Sequence, residues 1–214
     1  MYFISHAECK PERPDRLKLD NDIYMSRGSK IIASTFKGNA SCDQFSTIAR
    51  SFIGKGVNIA CFSYIQRTEI NNFCTIGSRV SIGAMNHPIN WLSINEFQYR
   101  NLSEVNGLPL AEIHNYQVET NTLIEPDVWV GDNVVVLPGR RVATGCIVGA
   151  GSVVAHDTEP YSVVVGNPAS HIKYRFPSDI IQRLLRSKWW ERDYEIVSKL
   201  NFSDPNSALI SLGF

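Results

Sequence analysis

The feature that most constrains this chain is a repeat of six residues between Ile124 and Val154. Read in sixes, the stretch gives IEPDVW, VGDNVV, VLPGRR, VATGCI and VGAGSV, with an aliphatic residue at 124, 130, 136, 142, 148 and 154. A period of six matches neither the 3.6-residue repeat of a helix nor the two-residue repeat of a strand. It predicts a solenoid of short flat faces and tight corners, in which each aliphatic side chain stacks inwards on its equivalent in the next coil.

A second run of repeats begins at Ile53 and reads IGKGVN, IACFSY, a five-residue unit from Ile65 to Ile70, INNFCT and IGSRVS. A strict count of six would point Glu69 into the core, and an unpaired buried charge costs several kcal/mol. We therefore expect a contraction of one residue at a corner, which turns Glu69 outwards.

The repeat stops after Gly83 and resumes at Ile124, which leaves an excursion over about residues 84–122. Such a long segment in a compact domain is either functional or disordered. Its aromatic residues argue against disorder; they are Trp91, Phe97, Tyr99 and Tyr116. The excursion is predicted to shape a binding site. The alternative is that it only packs against a neighbouring subunit, and both can hold.

The predicted organisation has three parts. Residues 1–46 form an N-terminal cap or irregular opening coils, residues 47–166 form the β-helix with its excursion, and residues 167–214 form a turn and a helix. Ser178 and Asp179 are candidate caps of that helix, and apolar residues follow at helical spacing up to Trp189. The tail from Asn201 is predicted to be a weak ending.

Composition excludes several classes of protein. The formal net charge of +0 disfavours a nucleic-acid binder, which would neutralise phosphates with an excess of cations. The first twenty residues are rich in charge, which argues against a signal peptide. No apolar run approaches the roughly 18 residues of a membrane span. The 5 cysteines are odd in number and show no CxxC spacing, which favours buried free thiols in a reducing compartment. A soluble, cytoplasmic protein is expected.

Several segments together carry a resemblance to a known family: VWVG at 128–131, LPGR at 137–140, VGAGSVVAHD at 148–157 and PYSVVVGNPASHIKYRF at 160–176. They resemble the left-handed parallel β-helix acyltransferases, which are built from hexapeptide repeats. The motif MNHP at 85–88, the excursion and Trp189-Trp190 resemble the xenobiotic and sugar O-acetyltransferase branch of that family. The resemblance covers about residues 48–200. It implies an all-β solenoid, a left-handed parallel β-helix with a long excursion loop and a C-terminal α-helical segment, assembled as a homotrimer with sites between subunits. Left-handedness rests on the resemblance alone.

The resemblance also implies transfer of an acetyl group from acetyl-CoA to a hydroxyl of a sugar acceptor, which would be a nucleotide sugar, a glycolipid or a polysaccharide. A hydroxyl-bearing antibiotic, such as a streptogramin or chloramphenicol, is the alternative acceptor, and N-acetylation of an amino sugar is also open. No covalent enzyme intermediate is expected.

A hydroxyl is a poor nucleophile near neutral pH, so a base must take its proton, and histidine titrates in a suitable range. His87 stands where the regular coil ends, and its match to the family motif implies that it is this base. Asn86, beside His87, and Trp91, in the excursion, are the predicted acceptor-binding residues. The sequence identifies neither the partner that orients His87 nor the donor to the oxyanion.

Acetyl-CoA would lie against the coils. By resemblance, Trp129 borders the groove near the acetyl-carrying arm, although it could instead pack against a neighbouring excursion. Small or short residues would line the arm of the cofactor, and cations would bind its phosphates. Besides Trp129, the predicted cofactor-binding residues are Gly131, Asp132, Ala150, Ala155, His156, Lys173 and Arg175. Ala155 and His156 depart from the Thr-Lys pair of many relatives, and Ser170 stands where some relatives carry arginine. Arg140 fills a position that the repeat reserves for a small or β-branched residue, which requires a distorted corner or a partner.

Two rival functions use the same coil. The γ-type carbonic anhydrases bind zinc through three histidines, and this chain offers His87, His114, His156 and His171. No two of these are spaced i, i+5 within a repeat, so no metal is expected. A non-enzymatic trimeric scaffold is disfavoured because it would not need His87, Trp129 and the 148–175 motif together.

Overall fold

The computed structural model describes residues 16–19, 22–99, 116 and 121–214. The chain divides into two compact units, each described by itself. The first contains Met1–Ala84 and Asn121–Phe214, and the second is Met85–Thr120.

The solenoid of the first unit has three β-sheets, and successive strands of the chain belong to each sheet in rotation. The first sheet contains β1 (Arg16–Leu19), β2 (Ile23–Ser26), β5 (Ala40–Cys42), β8 (Asn58–Ile59), β11 (Thr75–Ile76), β14 (Trp129–Val130), β17 (Ile147–Val148), β19 (Ser162–Gly166) and β20 (Ala169–Tyr174). The second sheet contains β3 (Lys30–Ile32), β6 (Thr47–Ala49), β9 (Tyr64–Gln66), β12 (Ser81–Ile82), β15 (Val135–Val136) and β18 (Val153–Val154). The third sheet contains β4 (Thr35–Phe36), β7 (Phe52–Ile53), β10 (Thr68–Ile70), β13 (Thr122–Ile124) and β16 (Arg141–Val142).

The paired strands are parallel except at the two ends of the first sheet, where β1 with β2 and β19 with β20 are antiparallel. Between these ends each coil lies on the previous one with its equivalent residues in register. The predicted fold class, an all-β solenoid of the parallel β-helix type with C-terminal helices, is confirmed.

The sixfold aliphatic series forms the interior of the solenoid. Ile124, Val130, Val136, Val142, Val148 and Val154 are each at most 1% exposed. Parallel pairing in register explains this burial, because it stacks equivalent side chains of successive coils on one another.

The predicted five-residue step is also confirmed. Ile65 and Ile70 are both fully buried, and Glu69 between them is exposed. Seventeen residues separate paired positions such as Asn58 and Thr75, so each coil here holds two six-residue steps and one five-residue step.

The coils begin earlier than the expected boundary near residue 46. Strands β2, β3 and β4 pair in register with β5, β6 and β7 and complete a regular opening coil. The inward residues of this coil, Met25, Ile31 and Phe36, are only half-buried. The five-residue step also recurs here between Ile31 and Phe36, which breaks a strict count of six.

The C-terminal segment contains α1 (Ser178–Ser187), a 3-10 turn (Trp189–Glu191), α2 (Tyr194–Val197) and α3 (Pro205–Ser211). Pro177 occupies the N-cap position of α1 and no side chain caps this helix, so the predicted caps at Ser178 and Asp179 are not found. The prediction of a weak tail is wrong as well. Asp204 caps α3 by accepting from the amides of Asn206 and Ser207, and Leu209 is fully buried in a cluster with α1.

Cys42, Cys61, Cys74 and Cys146 are free, and all but Cys61 are buried. Burial raises the pKa of the Cys42 and Cys74 thiols to about 12, which keeps them protonated. Cys9 lies outside the described residues. In the part of the chain that the structure describes, no helix is both long enough and apolar enough to cross a membrane.

Candidate active site

The unit Met85–Thr120 holds the imidazole of His87 by one ring nitrogen. Its Nδ1 lies 2.9 Å from the carbonyl oxygen of Ile94 and 2.9 Å from the hydroxyl oxygen of Tyr99. A carbonyl oxygen can only accept a hydrogen bond, so the contact with Ile94 assigns the proton of the neutral ring to Nδ1. This tautomer leaves Nε2 with a free lone pair, which a general base requires. His87 is exposed.

A short local structure brings Tyr99 back to His87. The side chain of Asn95 accepts a hydrogen bond from the amide of Phe97 at 3.1 Å and starts the 3-10 turn Glu96–Gln98. Tyr99 follows this turn, with its amide bonded to the carbonyl of Glu96 at 3.1 Å. Tyr99 and the carbonyl of Ile94 were not predicted from the sequence as partners of His87. The density of aromatic residues in the excursion was the available signal for Tyr99, whereas a backbone carbonyl leaves no trace in a sequence.

An aromatic cluster surrounds this contact. Tyr99 packs against Tyr116 with ring centroids 4.9 Å apart, and Trp91 meets both tyrosines edge-on at 6.2 and 5.7 Å. Trp91, a predicted acceptor residue, therefore lies in one cluster with His87, whose ring is 6.4 Å from that of Tyr99. Asn86, the other predicted acceptor residue, is exposed. Three neighbouring aliphatic side chains are also largely exposed, namely Ile89, Leu92 and Ile94.

In the solenoid, Trp129 belongs to a row of outward-facing residues on the first sheet. Trp129 pairs with Ile147, Ile147 with Val163, and Val163 with Lys173 on the antiparallel strand β20. Trp129 is 53% exposed, and Lys173 is exposed as well. Adjacent strands lie about 4.8 Å apart, so the row spans about 14 Å. It offers an aromatic surface at one end, aliphatic side chains in the middle and a cation at the other end.

Gly131, Asp132 and Ala150 lie at the corners between the first and second sheets. A Cβ atom on Gly131 would come within 2.7 Å of the amide nitrogen of Ala150, so the packing of adjacent coils itself requires glycine. The carboxylate of Asp132 accepts a hydrogen bond from the amide of Ser78 at 2.7 Å. Gly131 and Asp132 thus have structural tasks in the coil, while Ala150 is exposed.

Ala155 and His156 follow β18 and lie at the next corner, which leads out of the second sheet. Ala155 is half-buried and His156 is exposed. The structure thus divides the predicted donor residues of the solenoid between the first sheet and two successive corners.

Arg175 differs from the expected phosphate ligand. Its Nη1 donates to the carboxylate of Asp127 at 2.9 Å and to the carbonyl of Gly145 at 2.8 Å. The guanidinium also stacks over the rings of Tyr161 and Phe176, at 5.3 and 5.2 Å. Burial raises the pKa of Asp127, and the charge of Arg175 opposes this shift. Arg175 is therefore committed to an internal ion pair, whereas Lys173 remains exposed.

Arg140 directly precedes β16, its carbonyl accepts a hydrogen bond from the amide of Leu123 at 3.0 Å, and its side chain is half-buried. Among the described residues, no group of three His, Cys, Asp or Glu side chains could hold a metal ion. His114, one of the four histidines considered for zinc, lies outside that set.

Comparison with known proteins gives a consistent family. Residues 121–156 match the model of the bacterial transferase hexapeptide family, with six repeats. The sequence is 37% identical over 134 residues to a chloramphenicol acetyltransferase of Klebsiella aerogenes, a match that covers 61% of this chain and 62% of that protein. It is 34% identical over 123 residues to a probable macrolide acetyltransferase of Lysinibacillus sphaericus, covering 56% of this chain and 67% of that protein. The chain thus spans about three fifths of the length of the chloramphenicol acetyltransferases that it matches.

Solved structures share the fold. A variant of AntD, an N-acyltransferase from Bacillus cereus in complex with dTDP-4-amino-4,6-dideoxyglucose and coenzyme A, superposes with a TM-score of 0.61 at 20% identity. The superposition covers 78% of this chain and 89% of AntD. A perosamine N-acetyltransferase variant from Caulobacter crescentus, in complex with CoA and GDP-perosamine, gives a TM-score of 0.51 at 15% identity and covers 71% of this chain and 57% of its own.

Proposed function

Because this chain belongs to the hexapeptide-repeat family of bacterial transferases, we propose that it transfers an acetyl group from acetyl-CoA to a hydroxyl group of a small acceptor. The observation that carries the proposal is the geometry of His87. A carbonyl oxygen at its Nδ1 leaves Nε2 as an unprotonated acceptor, and the side chain is exposed.

In the proposed reaction, Nε2 of His87 removes the proton of the acceptor hydroxyl while the oxygen attacks the thioester carbonyl. The resulting imidazolium is stabilised because Nδ1–H donates to the carbonyl of Ile94 and lies beside the hydroxyl oxygen of Tyr99. As the C–S bond breaks, His87 returns its proton to the departing thiolate. The products are the acetyl ester and free CoA, and the enzyme forms no covalent bond.

The row from Trp129 to Lys173 is the proposed support for the donor. Its exposed indole and two aliphatic residues suit an extended, largely apolar arm, and Lys173 supplies a positive charge for phosphate groups. The row itself contains no acidic side chain. Arg175 is left out of the proposed phosphate contacts, because Asp127 already engages it. Ala150, Ala155 and His156 remain proposed donor contacts at the corners.

We further propose that the chain works as a homotrimer with sites between subunits, as the family resemblance implies. The largely exposed side chains of Ile89, Leu92 and Ile94 support an additional binding partner for the excursion, since exposed aliphatic residues next to one another favour burial.

A sugar hydroxyl is the first proposed acceptor class, on a nucleotide sugar, a glycolipid or a polysaccharide. The cluster of Trp91, Tyr99 and Tyr116 offers aromatic faces and hydroxyl groups near His87, which suit stacking and hydrogen bonding to a sugar. The fold-level neighbours named above, which are bound to nucleotide sugars, agree with this class by analogy only.

A hydroxyl-bearing antibiotic is the second candidate. The identity of 37% to a chloramphenicol acetyltransferase favours it, as does the apolar character of the three exposed aliphatic residues in the same unit. The aromatic cluster suits the rings of such a compound as well as it suits a sugar.

The test is a screen of acceptors with acetyl-CoA that follows release of free thiol. Nucleotide sugars and simple glycans form one arm, and chloramphenicol, a macrolide and a streptogramin form the other. Turnover in one arm, with a kcat/KM at least a hundredfold above the other, assigns the acceptor class. Hydrolysis of acetyl-CoA at the same rate with and without every acceptor would contradict the proposed transfer.

A further inference from the structure

A cavity of about 100 Å³ lies between the C-terminal segment and one corner of the last coils. Asp127 and Tyr161 line it from the solenoid, and Arg175 lines it just after β20. Much of the remaining wall is apolar and includes Leu184, Trp189, Leu200, Leu209 and Leu212. Two further lining residues, Asn201 and Phe202, are exposed, so the cavity opens to solvent beside them.

The polar end of this cavity is the ion pair of Arg175 and Asp127, whose side chains are 25% and 26% exposed. Nη1 of Arg175 donates to Oδ2 of Asp127 at 2.9 Å and to the carbonyl of Gly145 at 2.8 Å, which uses both of its hydrogens. Among the described residues, Nε and Nη2 of Arg175 have no hydrogen-bond partner, nor has Oδ1 of Asp127, and none of these three atoms is fully buried. The pair therefore keeps free donors and a free acceptor side by side.

This polar end favours a neutral ligand. A second anion beside the pair would be repelled by the carboxylate of Asp127, and a second cation by the guanidinium of Arg175. A hydroxyl group avoids both conflicts, because its oxygen can accept a hydrogen bond from Arg175 while its hydrogen is donated to Asp127. The apolar wall favours a ring or a short hydrocarbon chain beyond that hydroxyl. Apolar cavities of roughly 150 Å³ hold benzene, so this smaller, open cavity suits no more than one ring.

We propose that this cavity binds a small neutral alcohol or phenol, with its hydroxyl on the Arg175–Asp127 pair and its apolar part against α1 and α3. The hydroxyl supplies hydrogen bonds that the pair leaves open, and the apolar part covers a wall that otherwise faces water. The site does not depend on the proposed function, since the proposed acetyl transfer gives no part to Arg175 or Asp127.

Isothermal titration calorimetry of the full chain with phenol tests the proposal. Ala208→Phe is the test variant, because Ala208 lines the cavity from α3 and is half-buried, so a ring there occupies the place of the ligand. Ile210→Phe is the matched control, because Ile210 belongs to the same helix, is 71% exposed and does not line the cavity. We expect one phenol to bind per chain in the wild type and in Ile210→Phe, with an affinity at least about tenfold lower in Ala208→Phe. Ala208→Leu adds less volume and repeats the comparison if thermal unfolding shows that Ala208→Phe has lost the fold.

Toluene and benzoate test the chemistry of the polar group. Toluene has the size of phenol but no hydroxyl, and an apolar cavity alone would bind it more tightly, because phenol loses water from its hydroxyl on entering. We expect phenol to bind more tightly than either toluene or benzoate. Absence of saturable phenol binding to the wild type, or equal affinity in the wild type and Ala208→Phe, would overturn the proposal. Tighter binding of toluene would show a purely apolar cavity and tighter binding of benzoate an anion site, and each would overturn the assignment of a neutral hydroxyl ligand.

Discussion

The carbonyl oxygen of Ile94 lies 2.9 Å from Nδ1 of His87, and because a carbonyl only accepts hydrogen bonds, this contact favours a proton on Nδ1 and a lone pair on Nε2. The Tyr99 hydroxyl, 2.9 Å from the same nitrogen, then acts as a second acceptor of the Nδ1 proton. A main-chain carbonyl is a dependable partner for this purpose because no substitution of Ile94 removes it. The direction of proton transfer proposed for this protein thus follows from the backbone of the excursion.

Tyr99 should support His87 as a positioning residue. In Tyr99→Phe the ring still packs against Tyr116, but the hydroxyl at 2.9 Å from Nδ1 is lost. We expect kcat to fall about three- to tenfold, the value of one neutral hydrogen bond, with the KM for acetyl-CoA unchanged. Steady-state kinetics over pH 5.5–9 measures both, and Tyr116→Phe serves as the control for loss of a phenol in the same cluster. An equal loss in the two variants would assign the effect to packing.

Trp129 should contribute to binding of acetyl-CoA and not to the stability of the fold. Its indole is 53% exposed, so Trp129→Ala should leave the melting temperature nearly unchanged. If the ring covers the acetyl-carrying arm, its loss should raise the KM for acetyl-CoA about tenfold, because the complex would then bury less apolar surface. Tyr64→Ala removes an aromatic ring of similar exposure, 41%, from the second sheet and should leave this KM unchanged. A tryptophan variant with wild-type KM would exclude Trp129 from the donor site.

Truncation of Lys173 should weaken binding of acetyl-CoA, whereas truncation of Arg175 should lower the stability of the fold. Lys173→Ala should raise the KM for acetyl-CoA but not for acetyl-pantetheine, which lacks the nucleotide phosphates. Added salt should reduce the difference in the KM for acetyl-CoA between the wild type and Lys173→Ala. Arg175→Ala should lower the free energy of unfolding by about 2 kcal/mol, because it leaves the largely buried carboxylate of Asp127 without its partner. Urea denaturation and donor kinetics on both variants separate the two roles. A stable Arg175→Ala with a raised KM would restore Arg175 to the phosphate site.

Gly131 should be needed for the packing of adjacent coils even in the absence of a ligand. In Gly131→Ala the new Cβ would meet the amide nitrogen of Ala150 at 2.7 Å, so we expect a loss of about 1–3 kcal/mol from overpacking. Gly151→Ala is the comparison, because its Cβ would meet nothing within 4 Å and only its positive φ of 72° is unfavourable. That variant should lose about 1 kcal/mol. Thermal unfolding of both variants measures these losses. If Gly131→Ala keeps its stability but binds acetyl-CoA more weakly, glycine is needed there so that the donor can approach the backbone, and not for the packing of the coils.

The solenoid could be predicted from the sequence because its determinants are local and periodic. The aliphatic series from Ile124 to Val154 states the coil length directly, and the cost of burying Glu69 was sufficient to locate a five-residue step. The opening coil was less evident, since Met25, Ile31 and Phe36 are only half-buried and impose a weaker pattern. The helix at Pro205–Ser211 was missed because its apolar signal is short, although Asp204 before proline is a recognisable start.

The candidate site was less predictable because its contacts join residues that are separated in the chain. The pair of His87 and Tyr99 depends on a turn started by Asn95, and the partner of Arg175 is Asp127, 48 residues earlier. A cation near the end of a motif looks the same in sequence whether it meets a phosphate or a carboxylate of its own chain. Only the fold distinguishes Lys173, which is exposed, from Arg175, which is paired.

The most direct measurement of the central claim is the kcat of His87→Asn with acetyl-CoA and a genuine acceptor. Asparagine keeps a polar side chain at this position but has no nitrogen that can accept a proton near neutral pH. His171→Asn, which changes an exposed histidine on β20, is the control. The account predicts a kcat at least about a hundredfold below that of the wild type, with the KM for acetyl-CoA and the melting temperature unchanged. A His87→Asn variant that keeps most of the wild-type kcat would contradict it.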